Sequence, residues 1–143
     1  MKTLQQVLDD KKHKEIISIA PNRPVFDALV ILAEYKIGAL AVIQDGKLVG
    51  IFSERDYARE VILQGRSSKT TQISEVMTAE VITGKPTDLV ENTMSIMSEK
   101  RIRHLPVVDG DKLIGMLSLG DLVKETIAYQ QRLIRELEGY IKG

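Results

Sequence analysis

The chain has 143 residues, and its 20 Lys+Arg balance 20 Asp+Glu, so no net field draws it to nucleic acid or an anionic membrane. With 43% hydrophobic and 28% charged residues, it has the composition of a globular chain, with room for one core or two small halves sharing one. It has no cysteine, which excludes a disulfide framework, a thiolate metal site and a Cys nucleophile. No apolar run approaches the roughly 20 residues of a membrane span. The first residues show no apolar signal-peptide core, so the expected compartment is the cytoplasm.

Leu4, Val7 and Leu8 fit one helical face. The Lys11-Lys12-His13-Lys14 cluster reads as a solvated loop, and Ile16-Ile17-Ser18-Ile19 as a short strand. Pro21-Asn22-Arg23-Pro24 breaks that strand, with Asn22 a helix cap and Pro24 in the first turn. Val25, Ala28, Leu29, Leu32 and Ala33 form a helical stripe that Gly38 is expected to end. Residues 39–43 are a second strand, Asp45-Gly46 supplies a tight turn, and residues 48–52 return as a third. A helix from about residue 54 to Leu63 stops at Gly65. The polar residues 66–72 then read as a linker.

After the linker the order repeats. Leu48-Val49-Gly50-Ile51-Phe52-Ser53-Glu54-Arg55-Asp56 returns as Leu113-Ile114-Gly115-Met116-Leu117-Ser118-Leu119-Gly120-Asp121, displaced by 65 positions. That shift holds without a gap from Pro21 to Tyr57, so Val81-Ile82-Thr83 echoes the first strand. Upstream the shift becomes 69, as Ile73, Val76 and Met77 echo Leu4, Val7 and Leu8, so the first copy carries four extra residues in its loop 9–15. The expected fold is α/β (α+β), with tandem β-α-β-β-α repeats packed sheet to sheet. The repeats divide as residues 1–65 and 73–127. An extended C-terminal helix occupies 128–143, where Val123, Ile127, Gln130, Ile134, Leu137 and Ile141 trace a narrow heptad seam suited to a partner helix.

Each strand that ends in Ser opens into a helix start, where unpaired N–H groups and the helix dipole favour an anion. Asp56 and Asp121 follow their Ser by three residues, a spacing that equally makes a helix capping box. This doubled unit, with Ile102-Arg103-His104-Leu105-Pro106-Val107-Val108-Asp109 before its second copy, resembles the cystathionine-β-synthase (CBS) domain pair. The resemblance spans about residues 3–127. It implies repeats related by pseudo-twofold symmetry with two clefts between them, taking adenosine-bearing ligands such as AMP, ADP, ATP, S-adenosylmethionine or NAD. Carried over, Asp56 and Asp121 would hold ribose hydroxyls, with Ser53 and Ser118 beside the ribose or phosphate. Ile51/Phe52 and Met116/Leu117, with backbone near Ile19 and Thr83, would wall the adenine.

Other candidates are weighed against plainer roles. Arg103 and His104, ahead of Pro106, would reach a phosphate, or else stand as a solvated Arg and a satisfied His. They replace Gly38 and Ala39 of the first copy, which either permit close packing or widen a cleft for a dinucleotide. Arg55, matched by Gly120, would meet a phosphate or a carboxylate, or lie in water. No phosphate-cradling glycine loop and no oriented acid–base pair is evident, so the chain is read as non-enzymatic, with no catalytic cofactor and no metal. The expected function is an adenine-nucleotide-binding regulatory module, homodimeric, signalling to an unidentified protein target. The alternative is a dimeric scaffold without ligand, in which the Ser-x-x-Asp motifs are caps only.

Overall fold

The computed structural model describes residues 1–11 and 15–142. The loop reading of Lys12, His13 and Lys14, and of the extra residues around them, lies outside the described residues. Helix α1 (Leu4–Asp10) begins with a capping box between Thr3 and Gln6 and buries Leu4, Val7 and Leu8. Strand β1 (Ser18–Ile19) runs parallel to β2 (Ala39–Gln44), which pairs antiparallel with β3 (Lys47–Ser53). Between β1 and β2 lies α2 (Val25–Tyr35), and the order of the sheet is β1-β2-β3. In the second copy α4 (Ile73–Val76) and α5 (Val90–Lys100) precede the hairpin of β4 (His104–Asp109) and β5 (Lys112–Ser118). The long α6 (Leu119–Lys142) closes the chain.

The repeat persists in the register of strand pairing. Ile19 pairs with Val42 in the first sheet, and Gly84, 65 positions on, bridges Val107 in the second. The expected strand at Val81-Ile82-Thr83 is therefore a single bridge at Gly84, with the three residues before it outside the ladder. Asp45 and Gly46 both take positive φ, 53° and 77°, as a two-residue hairpin requires. In the second hairpin Gly110 stands where Asp45 stood and carries a φ of 61°.

Three local expectations are corrected. Helix α2 starts at Val25 with Pro24 as its cap residue, and Asn22 makes no cap; carbonyls of Thr71 and Ser68 take the N–H groups of Val25 and Phe26 at 2.8 and 2.9 Å. Residues of the 66–72 segment thus satisfy donors that a side-chain cap would otherwise serve. Lys36, in the left-handed region at φ 54°, ends α2 two residues before Gly38, and Arg101 ends α5 the same way at φ 55°. The helix after β3 is one α turn, α3 (Glu54–Asp56), that widens into a π-helix over Tyr57–Ile62. The Leu63 N–H there reaches the Ala58 carbonyl five residues back, at 3.1 Å.

Two compact units emerge, and they cut across the repeat. One gathers α1, Thr83–Gly110 and the chain from Ile114 onward; the other gathers Glu15–Ile82 with Asp111–Leu113. The opening helix of each copy is therefore built into the unit that holds the other copy's strands. In the first unit the N–H groups of Leu4 and Gln5 bond the carbonyls of Asp88 and Pro86, at 2.9 and 3.0 Å. In the second, Ile73 and Ser74 bond Arg23 and Pro21, both at 2.9 Å. The two pairs correspond residue for residue under the 69 and 65 shifts.

The second unit buries Ile19, Val25, Ala28, Leu32, Leu40, Val42, Phe52 and Val61 with Ile73 and Val76 of α4. In the first, Leu4, Val90, Met97, Leu105, Val107, Leu117 and Leu122 are at most 1% exposed. Gly50 and Gly115 make these seams fit. A Cβ at Gly50 would lie 2.5 Å from the Met77 sulfur, and one at Gly115 would lie 2.6 Å from Cδ2 of Leu8. The recurring glycine thus admits an exchanged segment, and packing within each unit accounts for it.

Candidate ligand site at the two Ser-x-x-Asp junctions

Strand alternation places one set of candidate side chains together. In the first sheet Ala39 pairs with Ser53 and Ala41 with Ile51, while Phe52 and its partner Leu40 point into the core on the other face. Ala39, Ile51 and Ser53 therefore share the face away from that core. In the second hairpin Leu105, Val107 and Leu117 are buried, so His104, Pro106, Met116 and Ser118 alternate onto the opposite face. Phe52 and Leu117, both 0% exposed, are core residues and leave the adenine wall to Ile51 and Met116. Ile19 also turns its side chain into the core, so only its backbone is available. Thr83 is exposed and lines, with Gly84, Pro86, Val108 and Gly110, a shallow depression of about 420 Å³.

Both helix starts are built as capping boxes. Ser53 donates from its backbone N–H to Oδ2 of Asp56 at 2.9 Å, and the Asp56 N–H returns a bond to the Ser53 hydroxyl at 3.2 Å. Ser118 and Asp121 repeat the exchange at 2.8 and 3.1 Å. The next donors are also satisfied: Glu54 N–H bonds the Gly38 carbonyl at 3.1 Å, and Leu119 N–H bonds the Arg103 carbonyl at 2.8 Å. This brings positions 38 and 103 against their junctions through the backbone, whatever side chain they carry. The side chains of Arg55 and Arg103 are exposed, and His104 is half-buried.

The two carboxylates differ in what else holds them. Oδ1 of Asp56 accepts the Thr78 hydroxyl at 3.1 Å, whereas Oδ2 of Asp121 accepts the Lys11 ammonium at 3.0 Å. Lys11 also donates to the Met116 carbonyl at 3.0 Å, which ties α1 to the end of β5. Neither Lys11 nor Thr78 stands out in the sequence. Each arrives on an exchanged segment, and the Lys11 cluster reads locally as solvated charge. Burial pushes the Asp121 carboxyl up, but the Ser118 backbone N–H, the bond and charge of Lys11 and the Ser118 hydroxyl outweigh it and hold it below the ordinary carboxylate value.

A carboxylate whose pKa is depressed on folding stabilises fully above its unfolded value, and that contribution fades as pH falls through the folded one. Asp121→Asn, still able to cap, is expected to cost about 0.5–1 kcal/mol at pH 7. The difference from the parent should shrink as the solution is acidified below about pH 4. Chemical denaturation at several pH values measures this, and a constant difference would deny the charged pair with Lys11.

With its geometry in place, the chain is a tandem module of two strand–helix units, each ending in a carboxylate-closed helix start. It belongs to the CBS domain family, whose profile matches residues 10–63 and 73–127. It is 40% identical over 124 residues to CBS domain-containing protein CBSX3, mitochondrial, of Arabidopsis thaliana, covering 83% of this chain and 60% of that protein's length. A putative signal-transduction protein with CBS domains from Burkholderia ambifaria is 47% identical, with a TM-score of 0.86 over 89% of this chain and 95% of its own. The CBS domain pair of protein MJ0100, solved with 5′-methylthioadenosine and S-adenosyl-L-methionine, is 27% identical, with a TM-score of 0.79 over 90% and 98% of the two chains. Among the described residues, no three metal-ligating side chains come together and no helix is long and apolar enough to cross a membrane.

Proposed function

We propose that the chain is a regulatory module that binds an adenine nucleotide or related adenosine ligand at the Ser53–Asp56 and Ser118–Asp121 junctions. The observation that carries this reading is the placing of one carboxylate, one hydroxyl and a half-buried apolar side chain (Ile51 or Met116) at each strand end. Vicinal ribose hydroxyls want a carboxylate acceptor, and a purine wants an apolar slot with backbone polar groups at its edge. Support comes from the MJ0100 pair, which holds two adenosine compounds. Binding would act by linkage: a ligand that prefers the folded, ordered arrangement stabilises it by RT ln(1 + [L]/Kd), and a separate protein reads the change. No covalent step is involved.

A second reading has its own observation. At both helix starts the N–H groups of the Ser, the residue after it and the Asp are already bonded from within the chain. On that reading the Asp residues are caps alone and the module is a scaffold for other proteins. Thermal melting of ligand-stripped protein against AMP, ADP, ATP, NAD, NADH and S-adenosylmethionine separates the two. A saturable rise in melting temperature for one or two of these is expected, and a flat response to all six would leave the scaffold reading.

A further inference from the structure

Helix α6 has two faces with different fates. Toward its own unit it buries Leu122 and sets the Thr126 hydroxyl 3.1 Å from the Met94 sulfur. On the same side the Glu125 carboxylate reaches Lys2 at 3.3 Å and Arg132 at 3.1 Å. On the other face Val123, Ile127, Ile134, Leu137 and Ile141 are 38%, 50%, 54%, 55% and 83% exposed. Every residue from Gln130 to Ile141 is exposed, so none of the described residues covers the last three turns. A lone helix of that length is marginal in water, and an amphipathic face is what usually supplies its stability. With Gln130 between Ile127 and Ile134, the steps of four and three describe a two-helix seam.

We propose that this seam pairs antiparallel with α6 of a second copy of the chain, about a twofold axis near residue 132. With Ile127, Ile134 and Ile141 as a positions and Val123, Gln130 and Leu137 as d positions, this register stacks a upon d. Val123 meets the partner's Ile141, Ile127 meets the partner's Leu137, and Gln130 meets the partner's Ile134. On the flanks Lys124 lies beside the partner's Glu138 at both ends, and Leu133 faces its own copy. The charges choose the direction. Lys124 and Glu138 are the charged residues at the e and g positions from 124 to 140, both exposed, and only the antiparallel arrangement brings them together. Parallel pairing would match Gln130 with itself but would leave Lys124 without an opposite charge and set Leu133 beside Glu138. Within one chain Lys124 and Glu138 are about 21 Å apart along the helix, so they do not serve each other.

The test uses the full-length chain and does not depend on any ligand. Sedimentation equilibrium should give a dimer for the parent. Lys124→Glu and Glu138→Lys should each weaken association by roughly tenfold, since two attractive pairs become repulsive. The double variant should return to within about threefold of the parent, a rescue that only facing charges allow. Circular dichroism confirms that the exposed substitutions leave the fold intact. Because the chain lacks cysteine, Val123→Cys and Ile141→Cys add a geometric arm. Mixed copies should cross-link to each other, while neither variant cross-links to itself. A monomer at all concentrations, single charge variants that associate like the parent, a double variant without rescue, or self-linking of Ile141→Cys would each overturn the proposal.

Discussion

Gly84→Ala is expected to destabilise the protein by about 2 kcal/mol and Leu4→Ala by about 3 kcal/mol, yet the double variant should lose at least ~1 kcal/mol less than their sum. A Cβ on Gly84 would sit 2.6 Å from Cδ1 of Leu4 and 2.8 Å from Cδ2 of Leu105. Leu4 is 0% and Leu105 1% exposed, so neither can swing into solvent to make room. Gly84 is also pinned by backbone bonds to Pro106 and from Val108, both 2.9 Å, so the strand cannot shift without breaking its bridge. Leu4→Ala opens a cavity on one side of that contact and relieves part of the overpacking. Urea unfolding midpoints at constant m measure all three variants. Strict additivity would mean that Leu4 does not wall Gly84, and α1 would lose its assignment to the second copy's strands.

In the ligand reading, Asp121→Ala is expected to lower adenine-nucleotide affinity by roughly 10- to 100-fold, the range of charge-assisted hydrogen bonds to the ribose. The same substitution removes half a capping box and the partner of Lys11, at a cost of about 1 kcal/mol in stability. Titration calorimetry well below the variant's melting temperature keeps the two effects apart. Asp56→Ala gives the matching value for the other junction, whose carboxylate accepts the Thr78 hydroxyl. Affinity unchanged in both variants would confine these residues to capping.

Much of the architecture can be read from residues close in sequence. The apolar runs 39–43 and 48–52, the Asp45-Gly46 turn and the stripe of Val25, Ala28 and Leu32 are all local patterns, and all three form. Phase carries further information, because the 65-residue shift fixes Ile19 over Gly84 and Val42 over Val107 before any coordinate is known. Other features escape for physical reasons. The sequence 57–62 has an ordinary helical composition, and no local pattern marks the π-helix that forms there with Val61 buried in the core. The exchange of opening helices is a choice between two nearly identical docking sites, which no local pattern distinguishes. Its one trace is the change of shift from 65 to 69, marking those helices as segments with a spacing of their own. At the candidate site the Ser and Asp are legible, while Lys11 and Thr78 depend on that exchange.

The exchange also bears on the order in which a nascent chain can become structured. Leu4 leaves the ribosome well before its neighbours Gly84 and Leu105, which follow about 80 and 100 residues later. At seven residues, α1 is too short to hold its helix alone while it waits. Glu15–Ile82 by contrast already contains nearly everything its unit needs, including the docked α4. The first half of the chain should therefore condense early, with its leading segment left trailing. Loop closure across the whole repeat then makes the joining of α1 a late and slow event. A chain clipped ahead of Glu15 would accordingly lose integrity in its C-terminal half, far in sequence from the damage.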